Sequence, residues 1–257
     1  MKTQNKKPLL IANWKMNPPS AKEALALAKK VDQGIKNISD VQVVLCPPFV
    51  YIPIFHAEKF NFLLGAQNCF WQKQGAFTGE ISPAMLKNLG CSHVIIGHSE
   101  RKNYLSETYE VIRQKVKASL DVGLIPVVCI GEKAQGSPNA KRELELQMQI
   151  LLADISRTQS SKIVLVYEPE WAISSVKGVQ AATPQDCEAA ISFMKEVLAR
   201  KWGEASAKGI HILYGGSVRK ENIREFIEKG GADGALVGAA SLNAQEFVSL
   251  VKESILG

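Results

Sequence analysis

Hydrophobic and polar positions follow two alternating patterns along this chain. Short runs of apolar, often β-branched residues are each followed by a stretch in which apolar residues recur at helical spacing. The runs predict strands at residues 9–15, 41–46, 62–66, 93–97, 125–130, 163–167, 210–214 and 234–237. The periodic stretches predict helices at residues 20–34, 51–59, 82–89, 106–122, 139–157, 183–202, 220–229 and 244–256. This order is typical of an α/β protein with a parallel sheet built from βα units.

Local sequence at the predicted boundaries supports the helices. Ser82 and Thr183 each precede a proline, as an N-cap residue does before the first turn. Gly34, Gly90 and Gly123 lie where a helix would end in a left-handed conformation. Eight βα units in 257 residues favour a closed (β/α)₈ barrel with a single domain over 1–257. Spacing alone also permits an open doubly wound sheet.

Composition and charge narrow the class of protein. Hydrophobic residues make up 46% of the chain and charged residues 22%, which is ordinary globular usage and excludes disorder. The net charge of +6 is dispersed among acids, so we expect no nucleic-acid partner, although a small anionic substrate is compatible with it. The five cysteines form no C-x-x-C pair, and no apolar run is long enough for a signal peptide or membrane span. We therefore expect a cytoplasmic protein that does not associate with membranes.

Candidate chemistry lies where the strands end, because parallel α/β folds bind ligands at that edge. Asn13 and Lys15 end the first strand, and the alternation of strand side chains predicts that both point to the barrel mouth. A lysine that only lies along the surface is the alternative. His98 follows the fourth strand, and a helix beginning at Ser99 would hold its imidazole neutral. A structural histidine in the core is the alternative there.

Two further strand ends carry candidate groups. Glu168 follows the sixth strand, and Pro169 keeps it out of a helix. A carboxylate under apolar cover is a suitable general base, although a solvated acidic loop would give the same pattern. Glycine-rich segments at 215–217 and 238–239 follow the last two strands, where small residues let backbone amides approach an anion. Either segment alone indicates a tight turn, but the two together predict a phosphate site.

Other functional motifs are absent from the sequence. It contains no nucleotide-binding glycine loop, no G-x-S-x-G nucleophile motif and no H-E-x-x-H zinc motif. His56, His93 and His211 are scattered, so we expect structural roles for them and no metal site.

The segments at the strand ends resemble those of the triosephosphate isomerase family over nearly the whole chain. They are 13–17 (NWKMN), 65–68 (GAQN), 75–80 (GAFTGE), 96–101 (IGHSER), 167–169 (YEP), 214–218 (YGGSV) and 236–238 (LVG), in the family's order. The resemblance implies a (β/α)₈ barrel that interconverts dihydroxyacetone phosphate and D-glyceraldehyde 3-phosphate through an enediolate, in glycolysis and gluconeogenesis. It implies no cofactor or metal.

The resemblance also implies a role for each candidate residue. Glu168 would be the base that moves the proton between neighbouring carbons. His98 would polarise the carbonyl group, and Lys15 and Asn13 would supply positive charge and hydrogen bonds at the oxygens. Glu100 matches a glutamate that supports Lys15.

The resemblance also implies which residues bind the phosphate group and which loop closes over it as a lid. Backbone amides of Ser217, Gly238 and Ala239 would hold the phosphate, with another from Ser174 in the loop after the sixth strand. That loop departs from the family's Ala-Ile-Gly-Thr-Gly-Lys, because residues 172–179 are AISSVKGV and the next helix begins later. The sequence predicts a longer lid with its second hinge within 177–182. Residues 131–142 also depart from the family after 131–132, and we expect them to lie away from the catalytic strand ends.

A homodimer is implied by the loop after the third strand, residues 67–80. Its aromatic residues are hard to explain in the connection of a monomer, although a self-packed loop is the alternative. Thr78 would approach the partner subunit's Asn13 and Lys15. Rival functions are another phosphate-binding barrel, a non-catalytic barrel and a nucleic-acid-binding protein, of which none accounts for Glu168 and His98 together.

Overall fold

The chain folds into a closed parallel barrel surrounded by helices. The computed structural model describes residues 6–173 and 181–255. Within these ranges the strands are β1 (Leu9–Asn13), β2 (Gln42–Cys46), β3 (Leu63–Ala66), β4 (His93–Ile96), β5 (Ile125–Ile130), β6 (Val164–Tyr167), β7 (His211–Tyr214) and β8 (Gly234–Val237). β1 pairs with both β2 and β8, so the sheet closes in the order β1 to β8. The (β/α)₈ prediction is confirmed, and the open doubly wound sheet is excluded.

Helices follow the strands at each predicted place. They are α1 (Ala21–Ile35), α2 (Ile52–His56), α3 (Pro83–Asn88), α4 (Ser99–Leu105), α5 (Tyr109–Asp121), α6 (Ala140–Leu151), α7 (Pro184–Trp202), α8 (Glu204–Gly209), α9 (Ile223–Glu228) and α10 (Ala244–Glu253). The helix considered at Ser99 is present as α4. The prediction missed α8, which has six residues and is too short for a periodic pattern. The helix predicted at 139–157 ends at Leu151, and a 3₁₀ helix at Arg157–Lys162 precedes β6.

Of the residues predicted to cap or end helices, all but one do so. The hydroxyl groups of Ser82 and Thr183 accept backbone N–H groups in the first turns of α3 and α7. Gly90 and Gly123 adopt φ of 79° and 75°, which ends the helices before them. The prediction for Gly34 is wrong, since α1 continues through it to Ile35. A β-carbon at Gly34 would lie 2.5 Å from Val248, so the glycine lets α1 approach α10 closely.

Two apolar layers fix which side chains reach the barrel mouth. Leu9 and Ile11 belong to the cluster that fills the barrel, whereas Leu10, Ala12 and Trp14 pack in the cluster between strands and helices. Because strand side chains alternate, Asn13 continues the inward row at the carboxyl end of β1. No helix within the described ranges is long and apolar enough to cross a membrane.

Candidate active site

His98 links β4 to α4 and faces the end of β6. It is the N-cap residue of α4, and its Nδ1 accepts the backbone N–H of Glu100 at 3.3 Å. An imidazole that accepts at Nδ1 carries its proton on Nε2 in the neutral form. Nε2 lies 3.2 Å from Oε1 of Glu168. His98, which follows β4, therefore directs a hydrogen-bond donor towards Glu168, which follows β6.

Glu168 is buried, with 1% of its surface exposed. Ser99 donates to it twice, from its hydroxyl to Oε1 at 2.8 Å and from its backbone N–H to Oε2 at 3.0 Å. Burial and this carboxylate raise the pKa of the neighbouring Cys129 thiol well above its ordinary value, so the thiol stays protonated. Ser99 was not among the site residues predicted from the sequence. Its place in the first turn of a helix, where backbone N–H groups lack partners within the helix, was the available signal.

Lys15 reaches the mouth by a different backbone path from the one predicted. The strand prediction of 9–15 is wrong at its end, because β1 stops at Asn13 and Lys15 adopts the left-handed region with φ of 52°. A non-glycine residue there is strained and needs local support. Asn13 Oδ1 accepts the Lys15 N–H at 3.1 Å, and Gln67 donates to the Lys15 carbonyl at 2.8 Å. Asn13 and Lys15 thus share the mouth, but through a turn that strand alternation does not predict.

Glu100 and Gly238 lie beside the Lys15 ammonium group. Lys15 Nζ is 2.5 Å from Glu100 Oε1, a close ion pair. A β-carbon at Gly238 would lie 3.3 Å from Lys15 Cε, so the glycine lets the lysine side chain pass close to the end of β8. Ala239, the next residue, begins the 3₁₀ helix Ala239–Leu242 after β8. The structure therefore brings the end of β8 against the end of β1, as barrel closure requires.

The glycine segment after β7 is shaped by close contacts. A β-carbon at Gly215 would lie 2.5 Å from Val166, and one at Gly216 would lie 2.2 Å from the Tyr214 hydroxyl. Ser217 donates from its hydroxyl to the carbonyl of Ala172 at 3.1 Å, which links this segment to the chain after β6. Ser174 and residues 177–180 of the predicted hinge lie outside the described residues.

Glu132, after β5, is a site residue that sequence reasoning missed. It is buried, and Oε1 accepts from the Tyr167 hydroxyl at 2.8 Å and from the Trp171 indole at 2.7 Å. Burial and this carboxylate raise the pKa of Tyr167. A β-carbon at Gly131 would lie 1.8 Å from the Glu168 carbonyl oxygen. The expectation that residues 131–142 lie away from the catalytic strand ends is therefore wrong for the first two. The sequence did contain a signal for this site residue, because Gly131 and Glu132 directly follow a strand.

Exposed apolar side chains surround a recess next to the mouth. The recess has a volume of about 350 Å³, and Asn13, Lys15, His98 and Glu100 line it together with Met16, Tyr104 and Leu105. These last three side chains are 94%, 77% and 62% exposed. Thr78 lies elsewhere, on the exposed loop between β3 and α3. Among residues 6–173 and 181–255, no group of three His, Cys, Asp or Glu side chains is arranged to hold a metal ion.

Comparison with known proteins agrees with this geometry. The family model for triosephosphate isomerase matches residues 8–254. A triosephosphate isomerase of Carboxydothermus hydrogenoformans is 42% identical over 254 residues, which are 97% of this chain and 100% of that protein. Proteins of the same name from Dehalococcoides mccartyi and Endomicrobium trichonymphae are 43% and 42% identical, over 96% and 97% of this chain and 96% and 99% of their own lengths. The chain belongs to the triosephosphate isomerase family.

Proposed function

We propose that Glu168, His98, Lys15 and Asn13 catalyse the family's reaction in this chain, the interconversion of dihydroxyacetone phosphate and D-glyceraldehyde 3-phosphate. The isomerase activity follows from family membership. The assignment of residues depends on one observation. The Glu168 carboxylate and the donor nitrogen of His98 lie 3.2 Å apart, and His98 lines the same recess as Lys15 and Asn13.

Glu168 is proposed as the base. It removes a proton from the carbon beside the carbonyl group and returns it to the neighbouring carbon, so the substrate is isomerised with no change in its atoms. In the structure both carboxylate oxygens accept hydrogen bonds from Ser99, which hold the carboxylate against the start of α4. The arrangement is therefore a resting one, and Glu168 leaves Ser99 to act.

His98, Lys15 and Asn13 are proposed to stabilise the enediolate. The reaction places negative charge on the carbonyl oxygen, and Nε2 of His98 donates to that oxygen without carrying a full positive charge. The Lys15 ammonium adds positive charge to the same region, and Glu100 holds it there through their ion pair. Because Asn13 fixes the strained Lys15 backbone, it sets where that charge lies.

The phosphate group is proposed to bind the backbone amides of Ser217, Gly238, Ala239 and Ser174. The contact between Gly238 and the Lys15 side chain supports this placement, since positive charge lies beside the small residues that an anion can approach. The bond from Ser217 to Ala172 supports it as well, because it connects the segment after β7 to the chain just before Ser174.

The chain is also proposed to form a homodimer in which the loop 67–80 of one subunit enters the recess of the other. Phe70 stacks on Trp71 with ring centroids 3.9 Å apart and contacts Phe77 at 4.5 Å, so the loop has an apolar body. Phe77 at its tip is 43% exposed. This loop would bring Thr78 to the partner subunit's Asn13 and Lys15. Exposed apolar groups on both the loop and the recess support the pairing.

A cytoplasmic location and a single domain over 1–257 complete the proposal. The five cysteines are free and buried, which suits a reducing compartment. Fractionation of the source cells, with the isomerase activity followed, tests the location.

The base assignment is tested with purified Glu168→Gln in the isomerisation of D-glyceraldehyde 3-phosphate. The amide retains the size of the side chain but cannot take up the proton, so we expect kcat to fall by at least about a hundredfold. Glu253→Gln, at an exposed ion pair on α10, is the matched control and should act as the unmodified enzyme does. Full activity of a folded Glu168→Gln would show that another group is the base.

A further inference from the structure

Lys102 and Glu170 form an ion pair beside the site that the chemistry above does not use. Lys102 Nζ lies 2.7 Å from Glu170 Oε1, and the two side chains are only 10% and 8% exposed. Asn103 donates a longer bond of 3.3 Å to Oε2 of the same carboxylate. Buried ion pairs contribute little net stability, because the desolvation of both charges offsets their attraction. A role in positioning is therefore a better explanation for this pair than a role in stability.

The pair joins α4 to the segment that follows Glu168. Lys102 lies one turn after Ser99 on α4, so both side chains lie on one face of the helix. Glu170 lies two residues after Glu168, beyond Pro169, whose ring restricts the backbone between them. The helix thus holds this segment at two points, with Ser99 on Glu168 and Lys102 on Glu170. Burial lowers the pKa of Lys102, but the Glu170 and Glu168 carboxylates outweigh burial and raise it, so Lys102 stays charged.

The two points of contact differ in what the reaction does to them. Ser99 binds the Glu168 carboxylate itself, which has to move to take a proton from the substrate. The contact between Lys102 and Glu170 involves neither the Glu168 carboxylate nor Ser99. We propose that Lys102 and Glu170 are positioning residues that keep His98, the N-cap of α4, in register with Glu168 while the carboxylate moves. This inference rests on the function proposed for Glu168 and His98.

The test compares Lys102→Met, Glu170→Leu and the double variant that carries both substitutions. The double variant leaves no unpaired buried charge, so its thermal midpoint should equal or exceed that of the unmodified enzyme. In the isomerisation of D-glyceraldehyde 3-phosphate, we expect kcat to fall about tenfold in all three while KM stays within about twofold, because small misplacements of reacting groups slow the chemical step. Lys102→Arg retains the charge and should keep most of kcat.

The matched control is Lys117→Met, which breaks the exposed pair with Asp121 on α5 and should leave both constants unchanged. A double variant with an unchanged midpoint and an unchanged kcat would overturn the proposal, as would a change confined to KM. If the single variants do not fold, the double variant and Lys102→Arg still decide it. Glu168→Gln in the same series separates the two proposals. Activity in Glu168→Gln removes the base assignment, whereas an inactive Glu168→Gln beside a fully active double variant removes only the positioning role.

Discussion

At the scale of single residues, the site depends on two glycines at which the backbone closely approaches another part of the site. Gly131 has φ outside the left-handed region, so its need for glycine is steric. Gly238 has φ of −87° and ψ of −110°, outside the main regions of other residues. Gly131 lets β5 approach the backbone of Glu168, and Gly238 lets β8 approach Lys15. Close approach of this kind places the backbone of Glu168 and the side chain of Lys15, and the bonds from Ser99 and Glu100 then hold their charged groups.

Gly131→Ala tests this point. The added methyl group would overlap the Glu168 carbonyl oxygen, so the end of β6 must shift. We expect the free energy of unfolding to fall by about 3 kcal/mol, with a further loss of kcat in the protein that remains folded. Urea unfolding and steady-state kinetics measure the two effects. Gly209→Ala, at an exposed glycine with nothing within 4 Å of a β-carbon, is the control. If both variants behave alike, steric fit at Gly131 is unimportant.

At the scale of elements, α4 positions several polar and charged groups of the site, and the starts of two strands hold buried histidines. α4 presents His98 at its N-cap, Ser99 to the base and Lys102 to Glu170 within two turns. At the opposite end of the barrel, β4 and β7 begin with His93 and His211. Burial lowers the pKa of both imidazoles, so the folded protein keeps them neutral.

Stability should therefore fall in acid because of His93. Burial and the nearby His211 lower its pKa from 6.5 to about 4, so below pH 6.5 the unfolded chain binds a proton that the folded chain does not. The contribution is complete above pH 6.5 and is lost as the pH falls towards 4. The loss from this histidine is about 2 kcal/mol at pH 5. His93→Asn keeps a donor for Ser92 but cannot titrate, so its urea midpoint should change less between pH 7.5 and pH 5.

His56→Asn, at an exposed histidine on α2, is the comparison for this experiment. It should lose as much stability in acid as the unmodified chain does. If the unmodified protein and His93→Asn lost equal stability between pH 7.5 and pH 5, groups other than His93 would cause the loss in acid.

At the scale of the whole molecule, barrel closure assembles a site from strand ends that are far apart in sequence. The end of β1 lies between β2 and β8, so Lys15 comes next to Gly238. The recess beside it is lined by polar and charged residues of the site together with exposed apolar residues. A protein surface of this composition is typical of a partner interface.

Leu105→Arg tests the proposed dimer. Leu105 lines the recess and is 62% exposed, so a charge there should exclude the partner's loop and reduce the sedimenting mass to the 28.1 kDa of one chain. Leu146→Arg places the same charge at a leucine that is 52% exposed on α6, away from the recess, and should leave the mass unchanged. An unmodified protein that sediments as a monomer, or an unaffected Leu105→Arg, would contradict the proposed interface.

The sequence by itself determined the elements and the residue types at the strand ends. Strand and helix order, the caps at Ser82 and Thr183, and the places of His98 and Glu168 after their strands depend on local periodicity and on neighbouring residues. These interactions span a few residues, so they can be predicted from the chain alone.

Only the tertiary structure decided how those residues meet. The left-handed turn at Lys15 is supported by Gln67, and the Glu168 carboxylate rests on Ser99, contacts across 52 and 69 residues. Glu132 joins Tyr167 and Trp171 in the same way. Contacts of this kind leave no periodic signal in the sequence. They arise because the barrel closes and its core is close-packed, which brings distant residues together and leaves each strand end one position to occupy.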